Sequence, residues 1–259
     1  MPMFVPSDHK FSVEVCFSPA LYREILTRED FIVVLTDILR ASTSVCAAFE
    51  NGARSIIPVA TLEEARQLKE QGFLVASEQD GKKLDFADFG NSAFQFTPES
   101  IGGKTLVYCT TNGTRAMAMA SEATKMAMGA FTNISALTGW LTRQRQNVVV
   151  LCSGWKNKFC IEDALFAGAL SEKLLENPMF QTHCDSAVAA MDLWQLAQKD
   201  ILAYIEKAAH RGRLKKLGLD DIIPYTFTPD STQVVPVYNG KEIVEARFIK
   251  EPEGGKERR

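Results

Sequence analysis

Short apolar runs of strand length alternate with segments of helical pattern along the first part of the chain. The runs FIVVLT (31–36) and NVVVLC (147–152) are apolar at nearly every position, which is typical of strands buried on both faces of a parallel sheet. Strands that alternate with helices pair in parallel and place helices on both faces of the sheet. The sequence therefore predicts an α/β fold of three layers, α/β/α, with a mostly parallel or mixed sheet.

Two stretches of the chain show this alternation in the same order. The first predicts strands at 31–36, 55–59 and 73–77, a helix from Thr43 to about Asn51 and a helix capped by Thr61. The second predicts strands at 104–109, 125–130 and 147–152, with a helix ending at Gln144. An ungapped offset of 71 residues places Leu35 on Leu106 and Thr43 on Thr114. A duplication, which would give two similar α/β halves, and chance similarity both explain this match.

The remainder of the chain has a different pattern. Residues 165–207 are rich in alanine and leucine and predict helices, and a further short helix is expected within 208–223. The alternation after residue 233 predicts a hairpin or an edge strand pair with Asn239-Gly240 as its turn. We expect residues 1–259 to form one domain, with division near 100–150 as the alternative, and residues 251–259 to be a frayed tail.

Composition excludes several classes of function. The chain has 259 residues, a net charge of −3 and a pI near 5.7, so there is no basic excess to neutralise a nucleic-acid backbone. No apolar run approaches the length of a membrane span, and no secretory signal is visible at the N-terminus. Six dispersed cysteines without a CxxC pair predict reduced thiols, a cytoplasmic location and no zinc site. The alanine-rich helices are compatible with a homodimer.

Loop one (36–44, TDILRASTS) follows the first buried strand. Asp37 is placed to bind a divalent metal or a water molecule, and Arg40 offers a planar fork of donors to an oxyanion. Ser42 and Thr43 can donate to an anion at the start of the next helix. The alternative is that Asp37 pairs with Arg40 and the hydroxyls cap the helix.

Loop two (109–115, CTTNGTR) follows the strand at 104–109. A tight, polar strand-to-helix loop suits a phosphate, and the candidate binding residues are Thr110, Thr111, Asn112, Gly113 and Thr114. Cys109 and Arg115 have the bare spacing of cysteine-dependent phosphatases. The alternative for Cys109 is that it is the last residue of the strand.

Loop three (153–169) follows the strand at 147–152. Ser153 and Gly154 form a turn that can bind an anion, and Lys156 and Lys158 add positive charge. Glu162-Asp163 opens a helix, either as a Mg²⁺ ligand pair or as acids that interact favourably with the helix dipole.

Two further segments carry candidate residues. The polar stretch 78–91 is too long for a simple connection, and Glu78, with Asn91 and Ser92, is a candidate for the same site. His210 and Arg213, on the short helix, are candidates for acid–base chemistry and anion binding; the alternative for His210 is a structural role.

Taken in order, these motifs resemble the 2-phosphosulfolactate phosphatase (ComB) family over nearly the whole chain. The resemblance rests on DILRAST at 37–43, GAR at 52–54, EQDG at 78–81, FGNS at 89–92, TTNGT at 110–114, SG at 153–154, EDALFAG at 162–168, HRGRL at 210–214 and VVP at 234–236.

The resemblance implies a Mg²⁺-dependent phosphatase that releases phosphate from (R)-2-phospho-3-sulfolactate or a related small anionic phosphoester. In methanogens that reaction belongs to coenzyme M biosynthesis. We expect attack by a metal-bound or Asp-activated water, with Asp37, Glu162 and Asp163 as candidate metal ligands and Asp37 or Glu78 as candidate base. Ser42 or Thr111 could instead form a covalent intermediate. The alternatives are a non-catalytic anion- or nucleotide-binding protein and a cysteine-dependent phosphatase using Cys109.

Overall fold

The computed structural model describes residues 10–22, 31–110, 117 and 125–248. Within these ranges no helix has both the length and the apolar character needed to cross a bilayer. Loop two beyond Thr110, and the tail at 251–259, lie outside the described residues.

Among the described residues, eleven strands form one sheet. The strands are β1 (Phe11–Cys16), β2 (Phe31–Thr36), β3 (Ser55–Pro58), β4 (Leu74–Gln79), β5 (Lys82–Lys83), β6 (Thr105–Cys109), β7 (Lys125–Met128), β8 (Asn147–Cys152), β9 (Phe180–Gln181), β10 (Pro236–Tyr238) and β11 (Ile243–Glu245). The order across the sheet is β5-β4-β6-β3-β11-β10-β7-β2-β8-β1-β9.

The helices of the described residues surround this sheet. They are α1 (Ala41–Glu50), α2 (Leu62–Glu70), α3 (Pro98–Ile101), α4 (Ile134–Gln144), α5 (Ile161–Leu175), α6 (Asp185–Ala197), α7 (Ile201–Ile205), α8 (Ala209–Lys216) and α9 (Ile223–Thr226). The predicted α/β class is confirmed, and β2 and β8 have the predicted bounds. The helix predicted from Thr43 to about Asn51 corresponds to α1, which begins two residues earlier and ends one residue earlier. The Thr61 hydroxyl accepts from the Glu64 N–H at 3.2 Å, as its predicted cap role requires.

Strand β6 shows that both faces of the sheet are covered. Leu106 and Tyr108 point into the main hydrophobic core. Val107 and Cys109 point into a smaller apolar cluster on the opposite face, which also includes Ala65 of α2. Side chains alternate between the two faces of a strand, so buried residues on both faces indicate layers on both sides.

The sheet contains two parallel blocks. Strands β4, β6 and β3 are parallel to one another, and so are β7, β2, β8, β1 and β9. The hairpin β10–β11 joins the blocks through three antiparallel pairings, β7 with β10, β10 with β11, and β11 with β3. Because the number of antiparallel pairings between them is odd, the strands of one block run in the opposite direction to the strands of the other.

The strand order is symmetrical about this hairpin. Reading outward from the hairpin gives β3, β6, β4 on one side and β7, β2, β8 on the other. The first stretch of the chain supplies β2, β3 and β4, and the second supplies β6, β7 and β8 in the same order. Strand β2 of the first stretch thus lies between β7 and β8 of the second stretch. Strand β6 of the second stretch likewise lies between β3 and β4 of the first.

Three features differ from the sequence prediction. The C-terminal hairpin forms as predicted, but it lies in the middle of the sheet rather than at its edge. Strand β1 was not predicted, because its isolated alternation lies outside the repeated pattern. Strand β9 interrupts the region 165–207 that was predicted to be helical, since two residues are too few to give a recognisable pattern.

A close contact between two helices fixes the position of α5. A Cβ built on Gly168 would lie 2.0 Å from the carbonyl oxygen of Ala190 in α6. The backbones approach this closely because position 168 has no side chain. Helix α5 also packs against β2 and β8, and its first turn carries Glu162 and Asp163.

Candidate active site

The hydroxyl of Ser42 forms hydrogen bonds with the backbone of loop one and does not point to solvent. The Ser42 hydroxyl donates to the Asp37 carbonyl at 2.9 Å and accepts from the Asp37 N–H at 3.2 Å. The Thr43 hydroxyl donates to the Ile38 carbonyl at 3.1 Å. These bonds fix the backbone that presents Asp37 and Arg40, so both hydroxyls have a structural role in this loop. Their predicted role in phosphate binding stays a prediction.

Asp163 joins loop one to loop three. Its two carboxylate oxygens accept from the N–H groups of Ile38 and Gly154, each at 2.9 Å. Gly154 has a φ of +61°, and a Cβ there would lie 2.2 Å from the Lys158 carbonyl oxygen. Asp163 therefore holds together the backbones that follow β2 and β8, which are adjacent in the sheet.

Glu162 faces α8. Its carboxylate oxygen Oε1 lies 3.1 Å from Nδ1 of His210, and Glu162 is buried. A carboxylate can only accept, so the Nδ1–H tautomer of His210 satisfies this contact and leaves Nε2 for another partner. The thiol of Cys160 lies within 4.8 Å of both ligand atoms.

Arg40 and Glu78 meet at the turn 78–81. The Gly81 N–H donates to Glu78 at 2.6 Å, and the Gly81 carbonyl accepts from Arg40 Nη2 at 3.2 Å. Gly81 has a φ of +89°, a conformation that glycine adopts without strain. This turn brings a carboxylate from the first block beside loop one of the second.

Tyr108 and Asn91 complete the floor of the site. The Tyr108 hydroxyl donates to the Asn91 side-chain oxygen, and both residues are buried. Burial first, and then the Asp37 carboxylate, raise the pKa of Tyr108 above its ordinary value. Ser92 follows Asn91 at the start of a 3₁₀ turn and is half-buried.

An aromatic wall stands beside these residues. The Trp155 ring lies 5.2 Å from the His210 ring and 4.3 Å from the Arg213 guanidinium carbon, measured to ring centroids. Trp155, His210 and Arg213 line a cavity of about 300 Å³, and Trp155 and His210 also line the small cleft over Asp37. The wall thus places the Arg213 guanidinium and the His210 imidazole next to the acidic side chains of the site.

The acid cluster, Asp37, Glu78, Glu162 and Asp163, has an unfavourable charge balance when metal-free. Burial is the main cause that raises the pKa of Asp37 to about 6; Glu78 and Glu162 act in the same direction, and His210 opposes them. Burial also raises the pKa of Asp163 well above its ordinary value, with Asp37 and Glu162 adding to it. A dication would relieve this repulsion, and carboxylate oxygens are the ligand type preferred by the Mg²⁺ that the family resemblance implies.

The structure brings together most of the predicted site residues. The predicted residues that lie together in the site are those of loop one with Glu78, Asn91, Gly154, Glu162, Asp163, His210 and Arg213. Thr110 is buried at the end of β6. Ser153 is buried, and its hydroxyl has no hydrogen-bond partner among the described residues. The remaining predicted residues of loop two lie outside the described residues: Thr111, Asn112, Gly113, Thr114 and Arg115.

Cys109 occupies the other face of β6. It is the last residue of the strand, as predicted, and packs in the apolar cluster with Val107. Burial is the main cause that raises the pKa of its thiol. A nucleophilic cysteine needs a lowered pKa, so this environment opposes the cysteine-phosphatase alternative.

Sequence reasoning missed three residues of the site. Tyr108 was passed over as the neighbour of Cys109, although side-chain alternation places it on the opposite face of the strand. Trp155 lies in the SGWK turn of loop three, and a tryptophan in a polar turn is itself an indication of a binding role. Cys160 was grouped with the other buried thiols, and nothing in the sequence places His210 beside it.

Comparison with known proteins gives consistent matches. The family model described as 2-phosphosulpholactate phosphatase matches residues 16–241. A protein of Caldanaerobacter subterraneus named as a probable 2-phosphosulfolactate phosphatase is 33% identical over 79% of this chain and 86% of its own length. Proteins of the same name from Thermotoga maritima (33%, 78% and 87%) and Pseudothermotoga lettingae (32%, 86% and 94%) are similarly related.

Proposed function

The chain belongs to the 2-phosphosulfolactate phosphatase family, and we propose that it hydrolyses (R)-2-phospho-3-sulfolactate or a related small anionic phosphoester. It is accordingly a phosphoric monoester hydrolase. The observation that carries the proposal is the buried acid cluster flanked by Arg40, His210 and Arg213. Buried carboxylates beside cationic side chains suit a substrate that arrives as a multiply charged anion together with a dication.

Mg²⁺ is part of this proposal. Asp37 and Glu162 would hold it with carboxylate oxygens, and Asp163 would approach it with the lone pairs that its two backbone hydrogen bonds leave. When bound, Mg²⁺ neutralises phosphoryl oxygens and makes a coordinated water more acidic. The protein itself contributes buried carboxylates that repel one another, and this repulsion favours binding of a cation.

Asp37 is the proposed base for the attacking water. Burial raises its pKa to about 6 in the metal-free protein, and a cation held by the same carboxylate would lower it, so the role of base requires one Asp37 oxygen that the cation does not bind. Glu78 is the second candidate, but its carboxylate accepts from the Gly81 N–H at 2.6 Å. That bond gives Glu78 a role in shaping the turn that positions Arg40.

Cationic side chains would bind the substrate's other charges. Arg40, buried beside Asp37 and Glu78, would bind the phosphoryl group, and its burial lowers its pKa. Arg213, which lies against the Trp155 ring, would bind a sulfonate or carboxylate at the mouth of the cleft. The predicted contribution of 110–114 to phosphate binding belongs to the same proposal.

Phosphate release is the direct test. The purified chain, freed of metal with a chelator, is incubated with 2-phosphosulfolactate, other 2-phospho acids and simple sugar phosphates, with and without Mg²⁺. We expect Mg²⁺-dependent release that is fastest with substrates carrying an additional anionic group. Thermal stabilisation by these compounds without any phosphate release would favour the alternative of a non-catalytic anion-binding protein.

Location and assembly extend the proposal. We propose that the protein acts in the cytoplasm, does not bind nucleic acid and forms a homodimer. Fractionation of cells, a nucleic-acid shift assay and sedimentation of the purified chain test these three points separately.

A further inference from the structure

We propose that Cys160, Glu162 and His210 form a binding site for a soft divalent cation of the Zn²⁺ type. The three residues offer a thiol sulfur, a carboxylate oxygen and a ring nitrogen, all within 4.8 Å of one another. These are the ligand types that tetrahedral zinc sites use, whereas Mg²⁺ prefers oxygen ligands and rejects sulfur. The set therefore selects a different class of metal from the acid cluster beside it.

The geometry is close to what such a cation requires. Bond lengths of about 2.0–2.3 Å at a tetrahedral centre separate neighbouring ligand atoms by roughly 3.3–3.7 Å. The contact between Nδ1 of His210 and Oε1 of Glu162 is 3.1 Å, so these atoms need only a small outward shift. A cation at this point would replace the proton that the two side chains share.

The local fold brings the ligands together from two elements. Cys160 is the residue before α5, Glu162 is the second residue of that helix, and His210 is the second residue of α8. The helix N-terminus carries partial positive charge, which favours anionic ligands at these two positions once a cation is bound. Cys160 and Glu162 are buried and His210 is nearly so, so the ligands are already desolvated and ordered.

A hard cation such as Mg²⁺ should bind this site weakly, because hard cations prefer oxygen ligands to the sulfur of Cys160. A cation that bonds strongly to sulfur displaces the thiol proton when it binds, and a cation that does not will bind oxygen ligands elsewhere.

The inference has a consequence for catalysis, and this part rests on the proposed function. A cation held by Cys160 would engage Glu162 and His210, which the proposed reaction needs for Mg²⁺ and for the substrate. Occupation of the site would therefore inhibit the Mg²⁺-supported reaction. Position 160 would decide how sensitive the enzyme is to soft metals.

Cobalt is the probe for the site, because Co²⁺ bound by a thiolate gives a charge-transfer absorption band. Metal-free protein is titrated with Co²⁺ in the absence of substrate, and Zn²⁺ is then added to displace it. We expect a thiolate band in the wild type and in Cys184→Ser, whose thiol lies outside the cluster, and loss of the band in Cys160→Ser. Absence of the band from the wild type, or its persistence in Cys160→Ser, would overturn the inference.

A second measurement separates the site from the proposed activity. Zn²⁺ binding by calorimetry is expected to weaken at least tenfold in Cys160→Ser, with Cys160→Ala as a replacement if the serine variant does not fold. If Mg²⁺-dependent phosphatase activity is found, the Zn²⁺ concentration for half-inhibition should rise by the same factor in the variant. Equal Zn²⁺ affinity in the folded variant and the wild type contradicts the site, whether or not the enzyme acts on phosphosulfolactate.

Discussion

The ends of β2 and β6 occupy corresponding places in the two stretches of the chain, and one aligned pair of side chains there contributes to the site while the next pair does not. The offset of 71 residues places Asp37 on Tyr108 and Ile38 on Cys109. Asp37 lines the small cleft, and the Tyr108 hydroxyl lies near enough for Asp37 to raise its pKa, whereas the side chains of Ile38 and Cys109 are buried in apolar clusters. In β6, the alternation of side chains between the two faces of the sheet separates Tyr108, near the site, from Cys109, and the spacing of Cys109 from Arg115 does not change that.

The largest expected effect tests the reactive member of this comparison. Asp37→Asn keeps the shape of the side chain but removes both the charge and the base. We expect kcat/KM for phosphate release to fall by about 10²–10⁴-fold, the usual contribution of a positioned base. Asp80→Asn, at an exposed position near the mouth of the cleft, serves as the matched control and should change the rate little. Near-wild-type activity in a folded Asp37→Asn protein would remove Asp37 from the mechanism.

The second test compares two neighbouring acids at the start of α5. Asp163→Asn places an amide NH₂ against one of two backbone N–H donors and leaves a buried donor unpaired. We expect the free energy of unfolding to fall by about 1–3 kcal/mol, measured in urea with the metal removed. Glu162→Gln should cost less stability, because its partner is the side chain of His210 and not the backbone of either loop. Equal losses would mean that Asp163 does not hold the two loops together.

The third test uses pH. Asp37 has a pKa of about 6 in the folded protein against an ordinary value of 3.8, so the folded state binds this proton more tightly than the unfolded chain. The contribution of Asp37 to stability is therefore most favourable below pH 4 and declines as pH rises through 6, by roughly 3 kcal/mol in total.

Comparison of wild type with Asp37→Asn isolates that decline. Urea unfolding of metal-free protein between pH 4 and 8 should show a steeper loss of stability in the wild type than in the variant. Addition of Mg²⁺ above pH 6 should restore stability to the wild type more than to the variant. Parallel profiles for the two proteins would show that Asp37 titrates normally.

The smallest effect is expected at the other strand end. Cys109→Ser removes the thiol from the apolar cluster and should cost about 1 kcal/mol of stability through burial of a hydroxyl. We expect phosphatase activity to remain within about twofold of wild type, because Cys109 faces away from the site. Cys46→Ser, at a buried thiol of α1, controls for the general cost of the substitution. Loss of all activity in folded Cys109→Ser would revive the cysteine-phosphatase alternative.

Local patterns predicted the elements of the fold well. The apolar runs of β2 and β8 are long and uniform enough to fix both strands at their observed bounds. Asp37, Glu162 and Asp163 were found because acids at the end of a buried strand or the start of a helix stand out from an apolar background. These signals lie within about one turn or one strand, the range over which sequence periodicity carries information.

Long-range pairing could not be predicted. The contact of Arg40 with Gly81 depends on where the C-terminal hairpin enters the sheet, and that hairpin was expected at an edge. The contact of Glu162 with His210 joins residues 48 positions apart through the packing of α8, which no local pattern specifies. Tyr108 was within reach of sequence reasoning, since alternation in β6 already separates it from Cys109.

The exchange of first strands between the two blocks affects how the chain can be divided. A chain cut at the exposed turn Gly102-Gly103 would leave β2 without β7 and β8, and β6 without β3 and β4. Neither fragment would have a complete sheet, so neither should fold by itself. The two fragments together hold every partner strand, which makes this turn a place where the protein could be split into complementing pieces that regain a site when they meet.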